Sequence, residues 1–129
     1  MSENRHDARE RAFHLLYESE IKGESGGEVL ASLPVEPDGF AMELVAGFDA
    51  HRDEIDAVIA RHSHNWDVDR MPALDRAILR LGTFELLHRP DVPTAVVLSE
   101  AVGLAKSYST DESGRFVNGV LAAIAEEVR

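Results

Sequence analysis

The sequence contains no cysteine, so it carries no disulfide framework, no zinc knuckle and no thiol nucleophile, and it suits a reducing cytoplasm. No stretch approaches the ~20 apolar residues of a membrane span, and Met1-Ser2-Glu3-Asn4-Arg5-His6 lacks the apolar run of a signal peptide. A soluble, cytoplasmic protein is expected. Positive charge is scarce: 13 Lys and Arg stand against 24 Asp and Glu, a formal net charge of −11. A field of that sign repels nucleic acid on average, so any RNA role needs a local basic patch or cations lent by a basic partner.

Motifs that carry chemistry are absent too. No Gly-x-x-x-x-Gly-Lys-Ser/Thr loop occurs, and the stretch from Gly23 to Gly27 has no Lys to reach a β-phosphate. No His-Glu-x-x-His pair occurs, while His62-x-His64 points its rings to different helix faces and lacks a third ligand. These histidines read as solvated linker residues, and neither metal nor cofactor is expected. Glu126-Glu127 and Asp111-Glu112 fall at helix ends, where capping and solvation account for them. With no catalytic constellation, the chain does not read as an enzyme.

What is present is helical periodicity. The 129 residues suit one domain, 1–129, able to bury roughly two thirds of the surface of its unfolded chain. Ala8, Ala12, Leu15 and Leu16 recur on one helical face, predicting a first helix from Asn4 to Lys22. Gly23, Gly26 and Gly27 break the pattern, and a short helix over Glu28 to Leu33 precedes Pro34 and Pro37. Phe40, Leu44, Val45, Phe48, Ile55, Val58 and Ile59 predict one or two helices ending near His62, with Gly47 bending the run. Ser63 to Asp69 reads as a linker anchored by Trp66. Pro72 sits where a helix N1 residue belongs, and Leu74, Ala77, Ile78, Leu81 and Phe84 form a stripe that ends at Pro90. After Pro93 the apolar positions from Val97 to Tyr108, Leu98 among them, are interrupted by few surface residues, which predicts a central helix. Ser109-Thr110-Asp111-Glu112 has the order of a capping box, and Phe116, Val117, Val120, Leu121, Ile124 and Val128 make the last stripe. No segment keeps the two-residue alternation of a strand. The class is all-α.

Two clusters combine cations with aromatic rings. Arg5, Arg9 and Arg11 with His6 and His14 share the first helix with Phe13 and Tyr17, which could set guanidinium groups on phosphates and rings on splayed bases. The alternative is an ordinary amphipathic helix, Phe13 inward and the arginines paired with Asp7 and Glu10. Lys106, Tyr108, Arg115 and Phe116 flank the turn between the last two helices, where core aromatics beside solvated charges are the alternative.

The chain resembles the NusB antitermination family through Ala8-Arg9-Glu10-Arg11-Ala12, Leu16-Tyr17, Asp75-Arg76-Ala77-Ile78-Leu79-Arg80-Leu81, Glu85-Leu86-Leu87 and Asp91-Val92-Pro93. It continues through Glu100-Ala101-Val102, Ala105-Lys106 and, most distinctively, Ser113-Gly114-Arg115-Phe116-Val117-Asn118-Gly119-Val120-Leu121, while residues 23–65 match only in helical pattern. The resemblance implies a compact bundle of about seven helices in two sub-bundles. It further implies a transcription antitermination factor that pairs with the ribosomal protein NusE, binds single-stranded boxA RNA of ribosomal RNA leaders and joins the RNA polymerase antitermination complex. Carried over residue by residue, it implies RNA contacts from Arg5, Arg9, Tyr17, Lys106, Arg115 and Phe116, and a NusE face on the rim at Asp75 and Glu85. Asn118 and Gly119 read as structural, the glycine allowing close helix approach and the asparagine bonding a neighbouring carbonyl. His6 and Asp7 interrupt the denser arginine run of many relatives, which thins the expected phosphate contact. Two other readings remain open: a NusB-like accessory RNA-binding domain of a ribosomal RNA methyltransferase system, for which this chain leaves no catalytic domain, and a homodimeric helical scaffold without an RNA role.

Overall fold

Asn4 turns its side-chain oxygen onto the backbone N–H groups of His6 and Asp7, at 3.0 and 3.3 Å. Those donors have no helical carbonyl to meet, so the cap starts α1, Arg5–Lys22. Gly23 ends it with φ at 67°, the left-handed conformation that a residue without Cβ adopts at no cost. The computed structural model describes residues 4–37, 39–64 and 67–129, so Trp66, the expected linker anchor, lies outside the described residues.

The short second helix, α2, is Gly26–Ser32 and starts before Glu28 because Ser25 and Glu28 form a reciprocal capping box, both bonds at 3.1 Å. Asp49 receives the N–H groups of Gly26 and Gly27 as well, tying the start of α2 to the next helix. The long run after Pro37 is two helices, α3 (Gly39–Ala50) and α4 (Arg52–His62), parted at His51. Gly47 is not the bend. It lies within α3, where a Cβ would come 2.3 Å from the Phe84 ring, so its role is to admit that ring.

A single 3-10 turn, Val68–Arg70, leads to α5, Ala73–His88, with Pro72 at the N-cap, one position before the expected N1. The chain closes with α6, Thr94–Tyr108, and α7, Asp111–Val128. The box expected at Ser109 does not form: Ser109 ends α6, and Thr110 caps α7 by accepting from the Ser113 N–H at 3.0 Å. Seven α-helices and no strand make up the described residues.

The central helix is α5 rather than α6. Every residue from Asp75 to Leu86 is buried, and α5 packs against α1, α3, α4, α6 and α7, so it is the strut the rest of the bundle shares. α6 keeps Ala95, Val96, Ser99, Gly103 and Lys106 exposed, and Leu98 is only half-buried. The buried stretch of α5 includes four ionic residues, Asp75, Arg76, Arg80 and Glu85. Burying charge is costly unless it is paired, and three of the four are. Arg76 donates to Glu20 and to the carbonyls of Val68 and Met71; Arg80 grips Asp56 at 2.8 and 2.9 Å and reaches Glu20 at 3.2 Å. These bonds lace α5 to α1 and α4.

Candidate nucleic-acid interface

α1 and the α6–α7 turn carry the cationic and aromatic residues. Tyr108, near the end of α6, reaches across to α1: its hydroxyl donates to Glu10 at 2.9 Å and meets His14 Nε2 at 3.1 Å, and its ring lies 5.1 Å from that of Phe13. The carboxylate accepting that proton holds the tyrosine pKa above its ordinary value. A wall of rings and imidazole thus joins the two helices, with exposed Arg11 beside it on α1 and exposed Lys106 on α6 laying its stem over Gly114 of α7.

Arg115 is exposed on α7 and Phe116 is half-buried against the core. Both border a hollow of about 400 Å³ whose far wall is His62, Ser63 and His64 at the end of α4. Tyr17 is half-buried on α1. Arg5 is exposed at the start of α1, its guanidinium 4.6 Å from the Phe40 ring centre and 3.9 Å from Asp91. Twelve positions separate it from Tyr17, about 18 Å of helix, so Arg5 and Tyr17 could serve one extended strand but not one nucleotide.

Three of the expected site residues point inward. Arg9 is 5% exposed and donates through Nε and Nη2 to Glu85, which is 2% exposed; its guanidinium is spent inside the chain rather than offered to phosphate. Glu85 is therefore no rim residue, and neither is Asp75. Asp75 accepts from the Ser113 hydroxyl at 3.3 Å on one oxygen, while its other oxygen is buried with no hydrogen-bond partner. Burial pushes its carboxyl pKa up. The NusE face that the resemblance implies at Asp75 and Glu85 is therefore corrected: both carboxylates lie on the buried length of α5 and face the core. Gly119 offers no close approach, since a Cβ there would meet nothing within 4 Å, and Asn118 beside it is exposed.

Phe40 belongs to the core stripe and also collects the guanidinium groups of Arg5, Arg9 and Arg89 at 4.6, 5.2 and 5.1 Å. No local spacing announces that, because all three arginines are far from Phe40 along the chain. His6 bonds Glu100 at 2.8 Å, and that carboxylate raises the imidazole pKa.

The sequence profile of the NusB family matches residues 6–126. The chain belongs to the NusB family. The transcription antitermination protein NusB of Myxococcus xanthus is 47% identical over 131 residues, covering 94% of each chain. That of Clavibacter michiganensis is 51% identical over 127 residues, covering 92% of this chain and 93% of its own. Among solved NusB structures, that of T. maritima superimposes with a TM-score of 0.89 at 33% identity, over 98% of this chain and 94% of the other. The NusB fold also matches, at a TM-score of 0.82 and 34% identity over 95% of this chain and 96% of the other, the crystal structure of antitermination factors NusB and NusE in complex with dsRNA. The expected all-helical NusB bundle is thereby confirmed.

Proposed function

We propose that this chain is a cytoplasmic, non-catalytic transcription antitermination factor, acting as one NusB-like unit that joins NusE and boxA-type RNA within the RNA polymerase antitermination complex. The observation that carries this reading is the match over 95% of the chain to a NusB solved with NusE and dsRNA. Physical chemistry supports it. A chain of net charge −11 neutralises few phosphates unaided, and a basic partner subunit supplies the missing cations. The RNA-facing residues are then Arg5, Tyr17, Lys106, Arg115 and Phe116, with exposed Arg11 added. Arg9 supports them by fixing α1 against α5.

The test is a titration of boxA-like single-stranded RNA, a scrambled strand and a duplex into the chain, its cognate NusE, and the mixture. The mixture binds boxA-like RNA markedly tighter than either protein, with a steeper salt dependence. Equal affinity and equal salt slope with and without NusE would overturn the composite site.

A further inference from the structure

The helices α4 and α5 bring together a group of side chains unconnected with the RNA-facing surface. His51 stands at the break between α3 and α4, Glu54 follows one turn into α4, and His88 lies in the last turn of α5. The two imidazoles stack with centres 4.0 Å apart and planes 23° from parallel. Glu54 Oε1 lies 2.7 Å from His88 Nε2 and 3.7 Å from His51 Nδ1. One ligand atom from each residue lies within 4.8 Å of the other two.

Two imidazole nitrogens and a carboxylate oxygen form a donor set suited to zinc, whose bonds to these atoms are about 2.0–2.2 Å long. Ligand atoms around a tetrahedral ion with such bonds stand about 3.4 Å apart, about 1.6 times the bond length. The 2.7 Å contact of Glu54 with His88 therefore opens and the wider separations, within 4.8 Å, close by rotations of the side chains when an ion is bound. His51 and Glu54 are exposed and can make them. The site also has a rigid back: Phe84, 4% exposed, sits 5.5 Å from the His88 ring and 6.5 Å from that of His51. Phe84 is itself seated against Gly47, where no side chain could fit. The surrounding hollow, about 530 Å³, is bordered by Asp49, Asp53 and Arg52 besides Glu54, so carboxylates outnumber guanidinium groups and attract a cation.

We propose that His51, Glu54 and His88 bind one zinc ion with water completing its shell, clamping the start of α4 to the end of α5. The sequence hides this set because His88 lies 34 residues from Glu54, far outside any ligand-spacing motif.

Calorimetric titration of the full chain with zinc chloride tests it. The wild type takes up one ion per chain. His51→Asn, Glu54→Gln and His88→Asn each weaken binding by about tenfold or more, at least the loss seen when a mere supporting residue of a metal site is removed. The double variant His62→Asn/His64→Asn binds as the wild type does. Zinc raises the melting temperature of the wild type and of that double variant, and at the same concentration raises that of the His51 and Glu54 variants by less. Those two residues are exposed, so their substitution keeps the helical circular dichroism intact and the comparison clean. Wild-type binding weaker than about 1 mM, cluster variants that bind like the wild type, or loss of binding in the His62/His64 variant would each overturn the assignment.

Discussion

Arg9 and Glu85, 76 positions apart, close a two-pronged ion pair inside the protein, with Nε and Nη2 of the arginine 2.8–3.2 Å from the carboxylate oxygens and neither residue more than 5% exposed. Removing one partner strands the other charge in a low-dielectric interior, at a cost of about 3–5 kcal/mol. Arg9→Ala and Glu85→Ala are each expected to destabilise the fold by that amount in urea unfolding. The double replacement Arg9→Met/Glu85→Leu should cost much less than the sum, since no charge is left alone. Single losses under about 1 kcal/mol, the range of an exposed pair, would mean that water reaches it.

Asp75 has the opposite economy. Its carboxyl is buried with one oxygen unpartnered, and burial raises its pKa. A carboxyl whose folded pKa exceeds its unfolded one is easier to bury protonated, so the fold gains stability as pH falls through the folded value and is penalised above it. Asp75→Asn should therefore melt higher than the wild type at pH 7, and the gap should narrow on acidification. Weaker binding of NusE by this variant, with a melt no higher than the wild type, would instead return Asp75 to the partner surface.

These two residues show what the sequence could and could not reveal. The helical stripes located every helical stretch, because side-chain period is a local property, but left open whether the run from Phe40 to His62 is one helix or two; it is two, parted at His51, and caps such as Ser25–Glu28 and Thr110 moved other ends. The rank order of burial was not local. α5 carries Asp75, Arg76, Arg80 and Glu85 and so looked amphipathic, yet partners on α1 and α4 neutralise most of that charge and let the helix be central. α6 looked more apolar and lies nearer the surface. Lys106 and Arg115 were legible as exposed cations, whereas the inward turn of Arg9 depended on a glutamate in another helix.

A surface pair supplies a pH signature of the other sign. Glu127 accepts from Arg61 and His62, and chiefly the Arg61 bond, then that of His62, pushes its carboxyl pKa down to about 2. The folded value lies below the ordinary 4.5, so the stabilisation is complete above that pH and is lost as pH falls towards about 2. Glu127→Gln should flatten the stability curve across that window, read by urea midpoints at successive pH values. Wild-type and variant curves that run parallel there would show that the pair contributes nothing.

The RNA-facing assignment makes a prediction that separates charge from stacking. Lys106 and Arg115 are exposed, with room to meet phosphate, and each phosphate neutralised on a single strand adds about 0.7 to the magnitude of the salt slope. In the complex with NusE, Lys106→Ala and Arg115→Ala should each reduce the slope by about that amount and leave the melting temperature unchanged. Tyr17 is half-buried, and a stacked base is worth about 1–3 kcal/mol, which salt scarcely touches. Tyr17→Leu should weaken binding within that range at constant slope. Phe116 also packs against the core, so Phe116→Leu, which keeps most of the packing, is the informative change there, and it too should leave the slope alone. Arg9→Ala stands apart, because its guanidinium is committed to Glu85. It should lose RNA affinity only in proportion to lost fold, with an unchanged slope for the molecules that remain folded. A reduced slope for Arg9→Ala with a normal melt, or unchanged slopes for both Lys106→Ala and Arg115→Ala, would move the phosphate path away from the α6–α7 turn and back onto the first turns of α1.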